Sequence, residues 1–211
     1  DRTLTLSELD FDLSAYDIFA FLAYGGSVVV VDEMQRRDAR AWLQLIRQRH
    51  VNVISCVPAL LDMLLMANGG EPLAGLRLVM LGGDRILPDL AQQWWRVTND
   101  APFVGLGGMT EAAIHSTCHQ LDPDEVGWSV VPYGHPLDNM SCRVVDRHGR
   151  DCPVGVAGEL WVSGPGVAIG YRGDPERTAD KFVTYGGRRW YRSGDHVRYR
   201  KDAIIEFLGR A

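Results

Sequence analysis

No stretch of this sequence approaches the run of about 20 apolar residues that spans a bilayer. Its opening lacks the basic, apolar, small-residue order of a secretory signal. Nothing in the chain therefore argues for a membrane partner, and the cytoplasm is the expected compartment. Cysteine is scarce: Cys56, Cys118, Cys142 and Cys152 include no CxxC pair, so free thiols are expected rather than a disulfide framework. His115, Cys118 and His119 lie close together, yet no second ligand pair follows at zinc-finger spacing, and a structural metal is not indicated. A surplus of positive charge is also missing. The formal net charge is −5, and Arg36, Arg37 and Arg40 are diluted by Asp32, Glu33 and Asp38, which removes the electrostatic case for nucleic acid. Neither an internal repeat nor a low-complexity linker is present. There is no initiating Met: the chain opens at Asp1-Arg2 and stops at Gly209-Arg210-Ala211, and it reads as part of a longer product.

What is there is a chain of 211 residues, 46% hydrophobic, enough for one large domain or two modest ones with a real core. Residues 27–31, 51–54 and 76–81 are short apolar runs rich in β-branched side chains, as expected of strands buried on both faces of a parallel sheet. Between them, residues 39–48 place Trp42, Leu45 and Ile46 on one helical face, and residues 58–67 open a second helix with Pro58 in its first turn. Residues 87–97 predict another helix. This alternation predicts an α/β layer architecture with a mostly parallel sheet over residues 1–116. Beyond Ser116 the pattern becomes short strand candidates at 142–145, 159–162, 190–192, 197–199 and 204–208, separated by turns such as Ser163-Gly164-Pro165-Gly166. One helix, 174–182, is expected there, with Asp174 as N-cap and Pro175 behind it. Residues 117–211 are thus expected to form a smaller β-rich subdomain or distorted barrel.

The richest segment is Gly105-Leu106-Gly107-Gly108-Met109-Thr110-Glu111-Ala112. Glycines allow backbone to approach a ligand, and a hydroxyl beside a carboxylate suits a phosphate oxygen and a Mg²⁺ ion. By itself such a loop is common in turns. It falls in order, however, with Phe11-Asp12-Leu13-Ser14-Ala15-Tyr16-Asp17-Ile18-Phe19, with the run from Gly158-Glu159-Leu160-Trp161 to Gly170-Tyr171, with Tyr191-Arg192-Ser193-Gly194-Asp195, and with Gly209-Arg210. In order and spacing these five segments resemble the middle and later core motifs of adenylation domains from nonribosomal peptide synthetases, members of the adenylate-forming superfamily. The Gly-Gly-x-Thr-Glu form of the loop and Gly149-Arg150-Asp151-Cys152-Pro153 are similar to the subset in siderophore and thiazoline assembly lines, whose modules cyclise cysteine.

The resemblance implies a reaction in which an amino-acid carboxylate joins the α-phosphate of ATP and the aminoacyl group then passes to a phosphopantetheine thiol on a peptidyl carrier protein. Such chemistry needs charge neutralisation and in-line positioning more than a protein nucleophile. It gives Thr110 a phosphate contact, Glu111 the Mg²⁺, Asp195 the ribose hydroxyls and Arg210 the ribose-phosphate side. Gly83, Asp84, Leu106 and Gly107 would border the adenine. Most members carry an aromatic residue where Gly107 stands, stacked on the base, and Phe207 is a candidate to supply that surface. The amino-acid pocket implied is Asp12, Leu13, Tyr16, Ser55, Met80, Gly82, Leu106, Ile114 and His115. Asp12 would pair with the substrate α-ammonium. The set is closest to cysteine-activating members, with Ser55, Gly82 and His115 departing from them, so the expected order is cysteine, then serine, threonine or an α-methylated relative. A phosphate loop upstream, a mobile lysine-bearing subdomain downstream, neighbouring cyclisation or methyltransferase domains and an MbtH-like protein are further implications. A degenerate core that scaffolds partners without chemistry, and an acyl- or aryl-CoA ligase, are the alternatives; Asp12 argues against the second.

Overall fold

A computed structural model describes residues 1–125 and 127–210. They form two compact units, residues 1–105 with 120–131, and residues 106–119 with 132–211.

The first unit opens with β1 (Arg2–Thr5), α1 (Leu13–Ala23), β2 (Ser27–Val30), α2 (Ala39–Arg49), β3 (Val53–Cys56), α3 (Pro58–Asn68), β4 (Leu78–Leu81) and α4 (Pro88–Thr98), and leads into β5 (Phe103–Gly107). The strands run β2-β1-β3-β4-β5, all parallel, in registers such as Leu4↔Ile54, Ile54↔Val79 and Val79↔Phe103. Parallel neighbours need crossovers, and the helices supply them. Each helix has a local reason to start or stop. Asp38 caps α2, its Oδ1 accepting from Arg40 N and Ala41 N at 3.0 and 3.2 Å. Pro58 and Pro88 occupy the first turns of α3 and α4. His50, Gly69 and Asn99 close α2, α3 and α4 in the left-handed conformation. The three expected helices thus form where the pattern puts them. β1 and α1, by contrast, show no clean apolar period in the sequence; they are carried by tertiary burial of Leu4, Leu13 and Phe21.

The core of this unit is Leu4, Trp42, Ile54, Leu61, Trp94 and Phe103, all fully buried. Trp94 also donates its indole N–H to the Ala101 carbonyl at 2.8 Å, so its polar end is satisfied in the interior.

The second unit pairs β6 (Thr117–Leu121) with β7 (His135–Pro136), antiparallel, through Thr117↔Pro136 and Cys118↔His135. Then come β8 (Ser141–Val145), β9 (Gly158–Ser163), α5 (Pro175–Lys181), β10 (Phe182–Tyr185), β11 (Arg188–Tyr199) and β12 (Ile205–Arg210). They form an antiparallel half-barrel in the order β10-β11-β9-β8, with β12 on β11. The layered parallel sheet and the β-rich second part are therefore both present. The expected strands at 190–192 and 197–199 prove to be one twelve-residue strand, β11. The Ser193-Gly194-Asp195 segment between them is a bulge rather than a break, since the register with β9 shifts between Arg192 and His196. The described residues contain no helix long and apolar enough to cross a membrane.

Trp94→Ala should remove about 3–5 kcal/mol of stability. A urea-unfolding midpoint unchanged by this substitution would contradict the core described here.

Candidate nucleotide site

The loop after β5 is folded tightly. Gly108 has φ in the ordinary range, yet a Cβ on it would overlap the Ile114 carbonyl oxygen, so no larger residue fits. Thr110–Ala112 form one 3-10 turn, and Ala113 and Ile114 follow at φ 59° and 76°. Left-handed backbone in a β-branched residue is strained, of order 1–3 kcal/mol. Ser116 N then bonds the Gly107 carbonyl at 2.8 Å and closes the loop. The result holds Glu111 half-buried beside a cavity of about 350 Å³.

A tyrosine grips that carboxylate. The Tyr171 hydroxyl donates to Glu111 Oε1 at 2.6 Å, and the Tyr191 hydroxyl lies 3.4 Å from that of Tyr171. Burial alone would push the Glu111 carboxyl up. Hydrogen bonds from Tyr171, from its own backbone N–H and from Tyr191, with the nearby charge of Arg177, outweigh it and hold Glu111 below the usual range. Tyr171 is itself held: its backbone N–H bonds Thr178 Oγ1 at 2.9 Å, and the Arg177 guanidinium lies 4.2 Å from its ring centroid. No motif spacing links residues 60 apart, so sequence reasoning did not single out Tyr171, although it lies in a motif quoted above.

Across the same cavity the bulge in β11 presents Asp195. Gly194 takes φ 76°, which a side chain would resist, and its N–H bonds Glu159 Oε1 at 3.2 Å. The Ser193 hydroxyl donates to the Leu160 carbonyl at 2.7 Å and accepts from Asp195 N at 3.0 Å. Asp195 is only 4% exposed. Its Oδ1 accepts from Arg210 Nε at 3.0 Å, its register partner on β12, and its Oδ2 from the Tyr133 hydroxyl at 3.1 Å. Burial first, and then Asp195, push the Tyr133 phenol up, which keeps it a proton donor. Phe207 on β12 packs its ring 5.2 Å from that of Tyr133. Lys181 also lines the cavity, which therefore mixes three cations with two carboxylates.

The remaining expected residues lie as follows. In the first unit, Asp12 is the N-cap residue of α1 but its side chain makes no cap hydrogen bond. Leu13 begins α1. The Tyr16 hydroxyl meets Met80 Sδ at 3.5 Å, and Met80 is the register partner of buried Ser55. Gly82 follows β4, bonding the Cys56 carbonyl at 3.3 Å. Gly83, at φ 81°, leaves room for Phe11 and Leu13 beside it. Asp84 is exposed and accepts from Arg85 N at 2.7 Å. Tyr16, Ser55 and Met80 are thus brought together there, as are Leu13 and Gly83. In the second unit, Leu106, Ile114 and His115 are half-buried and Thr110 is exposed at the start of its turn. His115, Cys118 and His119 do not make a metal site: among the described residues no group of three or more His, Cys, Asp or Glu is gathered to hold an ion. A separate apolar cavity of about 280 Å³ lies in the first unit against Leu6, Ile18 and Val28, with buried Asp17 on its wall; none of the expected site residues lines it.

The second unit thus sets a tyrosine-held carboxylate and a buried one, bonded on both oxygens, on the walls of one polar cavity. The family model for AMP-binding enzymes matches residues 1–172, and the chain belongs to that family. Its relatives put it with the adenylation domains of nonribosomal peptide synthetases. All of the chain aligns with phenyloxazoline synthase MbtB of Mycobacterium tuberculosis at 52% identity, covering 15% of that protein. It aligns with pyochelin synthetase PchF of Pseudomonas aeruginosa at 44%, covering 12%. Among solved structures it matches the nonribosomal peptide synthetase FmoA3 with a TM-score of 0.94 at 41% identity, over all of this chain and 23% of that one. The Vibrio cholerae adenylation domain AlmE, solved with glycyl-adenosine-5'-phosphate, gives 0.87 at 33%, over 40% of its chain. The chain thus spans a small part of the curated relatives it matches.

Tyr171→Phe should raise the Glu111 titration, read by carboxyl-carbon NMR. Because Glu111 is held low in the folded state, its stabilising contribution is present above the ordinary carboxylate range and is lost as pH falls through its folded value. The substitution should shrink that contribution. An unmoved Glu111 titration would show that the phenol does not govern it.

Proposed function

We propose that this chain is the part of an amino-acid adenylation domain that selects a small amino acid bearing a β-thiol or β-hydroxyl and joins it to the α-phosphate of ATP. The observation that carries the reading is the second unit's cavity, where Glu111 and Asp195, from two motifs more than 80 residues apart, face one space with Arg177, Lys181 and Arg210. Asp195 receives the ribose hydroxyls, Arg210 and Thr110 contact the phosphate side, and Glu111 holds the metal. The donor set fits Mg²⁺, which is commonly bound by one or two carboxylates together with substrate phosphates rather than by an all-protein cage. When bound, the ion neutralises charge on the phosphates. Leu106, Gly107 and Phe207 of the same unit border the base.

In the first unit, Asp12, Leu13, Tyr16, Ser55, Met80 and Gly82 select the amino acid, with Asp12 on its ammonium group. Cysteine is the first candidate. A β-hydroxy amino acid stands beside it, because FmoA3 has been solved with α-methyl-L-serine-AMP and MbtB is named for an oxazoline, whose ring carries oxygen where a thiazoline carries sulfur. The product passes to a phosphopantetheine thiol on a carrier protein in the intact synthetase, with neighbouring cyclisation or methyltransferase domains and an MbtH-like protein as further partners.

The intact protein containing this chain should catalyse ATP–pyrophosphate exchange dependent on cysteine, serine, threonine or α-methylserine. Exchange with none of them would contradict the reading, and heat of binding for a non-hydrolysable aminoacyl-adenylate mimic separates it from a scaffold without chemistry. Asp12→Ala should lower exchange at least about thirtyfold, because the substrate ammonium would be left unpaired. Substrate affinity unchanged by Asp12→Ala would favour an acyl- or aryl-CoA ligase.

A further inference from the structure

Gly107 leaves a space where relatives of this fold place a side chain against the base, and another residue of the same unit fills it. A Cβ on Gly107 would lie 2.9 Å from Tyr133 Cδ1 and 3.0 Å from Tyr133 Cγ, and would also overlap the Thr117 hydroxyl. The Tyr133 ring therefore packs directly on the Gly107 backbone and excludes any larger residue there. The same ring lies 5.2 Å from Phe207, tilted by 33°. Its hydroxyl donates to Asp195 Oδ2 at 3.1 Å. One half-buried side chain thus touches three residues assigned above to the nucleotide: Gly107, Phe207 and Asp195.

We propose that Tyr133 is the base-contacting aromatic of the nucleotide site, its ring supplying from outside the loop the surface that position 107 does not, while its hydroxyl orients the Asp195 carboxylate. Physically the two positions are complementary. An aromatic ring needs one place near the base, and it is reached either by a side chain from the β5 loop or by one from the segment before β7. A glycine at 107 is then a requirement of Tyr133 and Thr117 together rather than a lost function. The pair also ties base to sugar: the ring that faces adenine carries the hydroxyl that fixes the ribose acceptor, so displacement of Tyr133 disturbs both at once. Phe207 backs the ring at the edge-tilted distance that aromatic pairs favour.

This inference rests on the adenylation reading, and calorimetry on the intact protein separates the two. Wild type should bind the non-hydrolysable ATP analogue AMPPNP; no binding at all would overturn the adenylation reading itself. Given binding, Tyr133→Leu should weaken AMPPNP roughly ten- to a hundredfold, the usual loss when a base loses its aromatic partner. It should leave inorganic tripolyphosphate, which has no base, unchanged. Tyr133→Phe, which keeps the ring but loses the hydroxyl on Asp195, should weaken AMPPNP by less than Tyr133→Leu does, roughly three- to tenfold. The exchange variant Gly107→Tyr with Tyr133→Ala and Thr117→Ala, which also clears the hydroxyl that a Cβ at 107 would meet, should recover most of the affinity that Tyr133→Leu loses. Tyr133→Leu binding AMPPNP as wild type does, or losing AMPPNP and tripolyphosphate in equal measure, would overturn the assignment of Tyr133. So would an exchange variant that folds, as judged by its thermal transition, yet recovers nothing.

Discussion

The candidate site depends on backbone closing against backbone at Gly108, where the Ile114 carbonyl stands in the place a side chain would take. That contact bends residues 105–116 into a loop tight enough to force Ala113 and Ile114 into left-handed conformations. The strain has to be offset, and the second unit offers buried Ala112 in its core, the Ser116–Gly107 bond and the Tyr171–Glu111 bond. Any residue other than glycine at 108 would push Glu111 away from the cavity it lines. Function and local strain coincide here, as they commonly do at ligand sites.

On the other wall the same economy of backbone is achieved differently. A regular β11 would alternate its side chains across the sheet and would leave Asp195 wherever the period put it. The bulge breaks that period, with Glu159 and Ser193 satisfying the polar groups it frees. Asp195 is then buried yet fully bonded, to Arg210 on one oxygen and Tyr133 on the other. Its neighbours are thus in place before any ligand arrives, and the low exposure strengthens each of those hydrogen bonds.

Much of this was legible in the sequence, and the exceptions have physical causes. Helices over Trp42, Pro58 and Pro88 declare themselves because caps, prolines and apolar period agree. β1 and α1 do not, because Leu4 and Leu13 are set by packing and not by local pattern. Ser193-Gly194-Asp195 looks like a strand-breaking turn in one dimension, since nothing in a sequence distinguishes a bulge from a turn until the partner strands are known. The residues around Glu111 and Asp195 stand out because glycine-rich motifs advertise close approach. Tyr171 and Tyr133 do not, because a tyrosine 60 residues away from the group it bonds leaves no spacing to read. The glycine at 107 was legible; the Tyr133 ring packed against it needed three dimensions.

The central claim is that the cavity between Glu111 and Asp195 in the second unit receives the nucleotide. A crystal structure of the intact protein with a non-hydrolysable aminoacyl-adenylate mimic tests it directly. The account predicts ribose hydroxyls within hydrogen-bond distance of Asp195 and adenine in face contact with Tyr133. Adenosine bound elsewhere, with Asp195 still bonded only to Arg210 and Tyr133, would contradict it.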